Sequence, residues 1–115
     1  MTATNTPLEI LEVRAPRGAL HMDIVFSDEH IASLPHEILR GFCPCAVCQG
    51  HQGNIRYVEG GDINLSDIEE VGNYALRMIW GDGHGTGLYS YRYLRKLCQC
   101  SECAPADPHA QTYTR

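Results

Sequence analysis

Six cysteines in this 115-residue chain fall into two strings of one spacing, Cys43-Pro44-Cys45-Ala46-Val47-Cys48 and Cys98-Gln99-Cys100-Ser101-Glu102-Cys103. A chain that turns back on itself brings sulfurs at i, i+2 and i+5 to one point, which suits a soft metal ion. Structural zinc takes four tetrahedral ligands, commonly cysteine thiolates completed by histidine nitrogen. Pro44 favours such a turn, because its ring fixes its own φ and biases Cys43 towards extended backbone. Each trio leaves one coordination position open, and a histidine is the natural donor for it. His51 lies three residues after Cys48, His30 lies in the same half, and His84 lies in the other half. Spacing alone does not choose among them. His30 and His84 share one distinction: each follows an aspartate in an Asp-x-His turn, Asp28-Glu29-His30 and Asp82-Gly83-His84. In those turns the aspartates are expected to shape backbone. His21, His36 and His109 are read as surface or core residues.

The elements that must position these donors occur in the same order twice. Leu20 to Phe26 alternates as a half-buried strand, with Leu20, Met22, Ile24 and Phe26 on one face, and Tyr74 to Trp80 does likewise. Each is preceded by a second strand and a turn: Leu8 to Val13 with Ala15-Pro16-Arg17-Gly18, and Ile68 to Val71 with Gly72-Asn73. After each main strand come the Asp-x-His turn, a short apolar stretch, a helix and the cysteines. Pro35 suits the first helical position in one half and Ser90 the N-cap in the other. The histidines are 54 residues apart and each cysteine pair 55, so the halves align with a single inserted residue. The expected fold is therefore α+β: a small antiparallel sheet of hairpins with two short helices, internally duplicated about an approximate twofold axis. Residues 1–7 are expected to be a flexible N-terminus and 8–103 the domain, with repeat halves at about 8–48 and 66–103. Residues 49–65 form a Gly-rich joining loop, and 104–115 a mobile tail.

Composition narrows the function classes. A net charge of −5 gives no electrostatic reason to bind nucleic acid or an anionic membrane. No apolar run reaches membrane-spanning length, and the first residues lack a signal-peptide pattern, so the expected location is the cytoplasm. Thiols stay reduced there, which favours metal ligation over disulfides.

Leu39-Arg40 to Cys48, with Val71-Gly72-Asn73-Tyr74-Ala75-Leu76-Arg77, Trp80-Gly81-Asp82-Gly83-His84 and Leu94-Arg95, resembles the gamma-butyrobetaine hydroxylase-like N-terminal domain family. The resemblance runs from about Leu8 to Cys103. It implies a domain found alone in bacteria, ahead of the oxygenase core of carnitine-biosynthesis hydroxylases, or attached to iron-sulfur carriers, with no established reaction when alone. It also implies one zinc ion on Cys43, Cys45, Cys48 and His84. This chain departs from that pattern by keeping a complete second trio and a histidine in the first turn, so a second site on Cys98, Cys100, Cys103 and His30 is expected.

Three readings follow. The first is a zinc module carrying one ion or two, structural or interacting with a protein partner or a second copy, and not an enzyme. The second is an accessory or carrier protein of iron-sulfur cluster assembly, since thiolates also hold clusters. The third, a relative of 2-oxoglutarate oxygenases using His21-Met22-Asp23, requires an iron triad for which this chain has little room.

Overall fold

The computed structural model describes residues 8–50 and 53–113. His51, one of the histidines open for the first trio, lies outside them.

Strand β1 (Ile10–Arg14) pairs antiparallel with β2 (His21–Phe26), which pairs with β3 (Ile31–Pro35), and the chain then enters helix α1 (His36–Gly41). In the second half β5 (Leu65–Val71), β6 (Ala75–Trp80) and β7 (Leu88–Ser90) form a second three-stranded antiparallel sheet that runs into α3 (Tyr91–Lys96). Between them lie the four-residue helix α2 (Ala46–Gln49) and the short strand β4 (Ile55–Arg56). The α+β class is as expected. The sheets are broader than hairpins, because the apolar stretches after each Asp-x-His turn are strands. They are only five and three residues long, too short for their alternation to stand out in the sequence.

The two halves make the same local bonds. Phe26 N–H donates to His30 O and Trp80 N–H to His84 O, both at 2.9 Å. Ser27 N–H reaches Glu9 O and Gly81 N–H reaches Asn64 O, both at 2.8 Å. Each hairpin has its register irregularity at the same place, between Ile10 and Glu12 and between Leu65 and Asp67. The tight turn before each histidine needs a positive φ: Gly83 adopts +89° without penalty, whereas Glu29 adopts +74° against the preference of an L side chain.

Alternation along β2 and β6 places Met22, Ile24 and Phe26 in one buried cluster with Leu76, Met78 and Trp80. Helix residues Leu39 and Leu94 complete it. Leu20 and Tyr74, expected on the buried faces, are 50% and 57% exposed, because the turns extend further than the alternation suggests and the strands begin one residue later. Tyrosines of the second half hold the first-half helix end: Tyr89 Oη donates to Leu39 O at 2.5 Å and Tyr93 Oη to Phe42 O at 2.6 Å. Such buried bonds each contribute on the order of 1 kcal/mol.

The segment after Cys103, expected as a mobile tail, runs through a 3-10 turn (Pro108–Ala110) into β8 (Thr112–Tyr113), which pairs with β4. Tyr113 meets Phe42 and Tyr93 edge-on at 5.1 and 5.8 Å, and His109 stacks on Tyr57 at 4.0 Å. Two isolated aromatics carry no periodicity, and this docking has no sequence signature.

Candidate metal centres

The first cysteine trio begins where α1 ends. Cys43 N–H caps Arg40 O at 3.3 Å, and α2 then turns the chain so that Cys48 N–H returns to Cys45 O at 3.2 Å. The second trio follows α3 with the corresponding bonds, Cys98 N–H to Arg95 O at 3.3 Å and Cys103 N–H to Cys100 O at 3.0 Å. The histidines come from the opposite halves. Asp82 Oδ1 accepts from His84 N–H at 3.0 Å and Asp28 Oδ1 from His30 N–H at 3.2 Å, so both aspartates shape the turns, as their sequence context suggests.

His84 Nε2 lies 3.4, 3.6 and 3.5 Å from the sulfurs of Cys43, Cys45 and Cys48. His30 Nε2 lies 3.5, 3.7 and 3.5 Å from those of Cys98, Cys100 and Cys103. Within each quartet all four donor atoms fall within 4.8 Å of one another. All six cysteines are free thiols. A tetrahedral ion with arms of about 2.3 Å to sulfur and about 2.0 Å to nitrogen separates S from N by roughly 3.5 Å. The donor sets and their spacing fit such an ion twice. His30 and His84 thus each complete the trio of the other half, and either quartet could hold a metal ion.

Three thiols at one point cannot all ionise without a cation. Burial pushes the Cys43 thiol up to about 12. At Cys45 burial acts in the same direction, but hydrogen bonds with the Thr86 side chain, Cys48 and Cys43 outweigh it and bring this thiol down to about 7. The Cys100 thiol is lowered too, chiefly by a hydrogen bond with the Glu102 backbone. Desolvation lowers the His84 pKa and so favours the neutral imidazole that a metal requires.

Sequence reasoning missed three supports of the first quartet. Arg40 Nη1 donates to Cys48 Sγ at 3.5 Å, and its guanidinium packs against Gly61, where a Cβ would stand only 2.6 Å away. Gln49, almost fully buried, donates to Cys43 O at 3.0 Å and to Arg56 O at 2.8 Å, and accepts from Arg56 N–H at 3.0 Å. Gly87 passes so close that a Cβ there would meet Cys43 Sγ at 2.5 Å. The one available signal was Gln49 itself, which directly follows the first trio where the second is followed by Ala104.

The residues read as bystanders are not drawn into either quartet. His21 Nε2 contacts Ser33 Oγ at 2.9 Å and Asp23 Oδ1 at 3.2 Å, and neither His21 nor Asp23 belongs to a group of three or more metal donors among the described residues. His36 is buried, with Nδ1 donating to Ile63 O at 3.0 Å and its ring edge-on to Trp80.

The family described as gamma-butyrobetaine hydroxylase-like, N-terminal, matches residues 13–95. The chain belongs to this family. Three solved structures are similar to it. A protein of unknown function of the DUF971 family from Acidithiobacillus ferrooxidans is 32% identical, with 76% of this chain and 89% of that chain covered and a TM-score of 0.61. A protein solved in solution by NMR is 33% identical over 86% of this chain and 75% of its own, with a TM-score of 0.67. Another NMR structure is 27% identical over 81% and 75%, with a TM-score of 0.62. No curated protein matches. The family match ends at Arg95, before the second cysteine trio. No helix among the described residues is long and apolar enough to cross a membrane.

Proposed function

We propose that this chain is a small cytoplasmic zinc module with an internal repeat, holding two ions in a structural or protein-interaction role with no catalysis of its own. The observation that carries the reading is the pair of Cys3His quartets, with sulfur-to-nitrogen distances of 3.4–3.7 Å, close to what one tetrahedral ion requires. Each quartet takes its sulfurs from one half and its nitrogen from the other, so a bound ion would tie the halves together. Metal binding then contributes folding free energy directly, and its removal loosens the molecule rather than ending a turnover. Zinc is favoured over an iron-sulfur cluster by the spread of donors. Four atoms within 4.8 Å converge on one ion, whereas cluster ligands sit on separate irons and stand further apart. A protein partner or a second copy is favoured by the outer strand β1, which presents Leu11 at 64% exposure on a sheet edge that pairs with no further strand among the described residues.

The test is elemental analysis for zinc, iron and acid-labile sulfide on untagged protein purified without oxygen, beside Cys45→Ser and Cys100→Ser. Two equivalents of zinc, falling by one in each variant, are expected. Iron with sulfide, or no bound metal, would overturn the reading.

A further inference from the structure

The two quartets have the same donors but different surroundings. At the first, Cys43 is buried, Cys45 and Cys48 are half-buried, and Arg40 donates to a sulfur. Gln49 stitches the backbone of Cys43 to that of Arg56 in β4, so the loop that carries the sulfurs cannot open without breaking three hydrogen bonds. At the second, Cys103 is exposed, and the residue in Gln49's place is the exposed Ala104. Arg95, which corresponds to Arg40, is turned away: Nη1 donates to Asp28 Oδ2 at 2.6 Å, and the guanidinium lies 5.5 Å over the Phe26 ring. At the second quartet Cys98 accepts backbone N–H bonds from Ser33 and Cys100, at 3.3 and 3.4 Å, and Cys100 accepts from the backbone of its own loop, so no side chain from outside the loop other than His30 supports a sulfur there among the described residues. Cys103 is the exposed member of the trio, and its thiol meets only the other two thiols and the histidine among the described residues, with no arginine or glutamine beside it.

These contrasts matter because a metal leaves a thiolate site most readily when an incoming ligand can reach it and the loop can yield. Groups that bond to the ligands typically change metal affinity by about 10- to 100-fold. A three-thiolate, one-imidazole set with a divalent ion carries one net negative charge. Arg40 offsets that charge at the first quartet, while Glu102, inside the second loop, adds to it.

Building on the two-site zinc reading, we infer that the second quartet, His30, Cys98, Cys100 and Cys103, is an exchangeable zinc site open to incoming thiolate or chelating acceptors, while the first is a permanent one. Cys103 is its point of access. The ion passes to thiol acceptors by stepwise exchange: the bond to Cys103 Sγ breaks first, those to Cys100, Cys98 and His30 follow, each is replaced by a bond from the acceptor, and each released cysteine takes up the proton that an acceptor thiol gives off. No electrons change hands.

The experiment uses the wild-type chain loaded with zinc. The protein is treated with one equivalent of EDTA, then briefly with iodoacetamide, and the alkylated cysteines are located by peptide mass spectrometry. A parallel sample omits EDTA. Without EDTA, protection of both trios is expected. With EDTA, alkylation should fall on Cys98, Cys100 and Cys103 and spare Cys43, Cys45 and Cys48, and release from the second site should be faster by on the order of tenfold or more. Equal labelling of both trios after EDTA, or first labelling of Cys43 to Cys48, would overturn the inference. So would labelling of the second trio without EDTA, which would leave the first zinc site standing. Labelling of all six cysteines without EDTA would instead strike down the underlying zinc reading.

Discussion

Replacing Gly87 by alanine adds one methyl group directly against Cys43, a proposed metal donor. The new Cβ would stand 2.5 Å from Cys43 Sγ, 3.3 Å from Pro44 Cδ and 3.4 Å from Tyr89 Cε1. Non-bonded heavy atoms settle about 3.5–4.0 Å apart, so Cys43 Sγ must retreat by roughly 1 Å or β7 must shift by as much. Neither has free space: Cys43 is fully buried, and Tyr89 behind it is fixed by its bond to Leu39 O. A metal-sulfur bond tolerates only about 0.2 Å around 2.3 Å, so the retreat takes Cys43 out of coordinating position. Overpacking of this kind costs about 1–3 kcal/mol, which corresponds to a loss of roughly 5- to 150-fold in zinc affinity at the first quartet. The assay is competition with a zinc indicator of known affinity in Cys100→Ser, where only the first quartet is complete. Gly85→Ala is the control, since the atoms nearest its Cβ belong to the Ile79 side chain, the first at 3.2 Å. Unchanged affinity in Gly87→Ala, or equal losses in both variants, would refute the placement of Cys43 as a donor pressed against β7.

Further expectations concern neighbouring groups. Arg40→Met removes the donor to Cys48 Sγ and should weaken zinc at the first quartet by about tenfold while leaving the second unchanged, as read by the same competition assay. Glu29→Gly relieves the positive φ of the first Asp-x-His turn and should stabilise the fold by about 0.5–1 kcal/mol in chemical denaturation. His36 is buried and its pKa is lowered, chiefly by desolvation. As pH falls below its unfolded value, about 6.5, the unfolded chain therefore takes up the proton first, and His36 makes stability decline towards acid. Denaturation at pH 7.5, 6.5 and 5.5 should show a shallower decline in His36→Leu than in the parent; equal slopes would exclude this role.

Much of the candidate site was legible in the sequence because its donors are chemically distinctive and recur in register. The cysteine trios and the two Asp-x-His turns stand out as residue types, and the order of elements around them repeats. Which histidine serves which trio was not legible from spacing, because the pairing runs between halves and depends on how β2 and β6 pack into one core. The resemblance supplied His84 and the repeat then pointed to His30 for the other trio; the structure brings each beside its cysteines. The supports of the first site were hidden for a different reason. Gln49 acts through backbone atoms of Arg56, and Gly87 matters because of a missing atom, neither of which has a residue-type signature. Strands β3 and β7 were read as apolar stretches because they are short, and β8 was unreadable because its partner, β4, is a two-residue strand over 50 positions away.

X-ray absorption at the zinc K-edge on the fully loaded protein tests the central claim most directly. The account predicts an average shell of three sulfurs near 2.3 Å and one nitrogen near 2.0 Å, the same in Cys45→Ser and Cys100→Ser because each retains one intact quartet. A zinc shell of oxygen and nitrogen alone, or no zinc edge and instead an iron edge with iron neighbours, would contradict it.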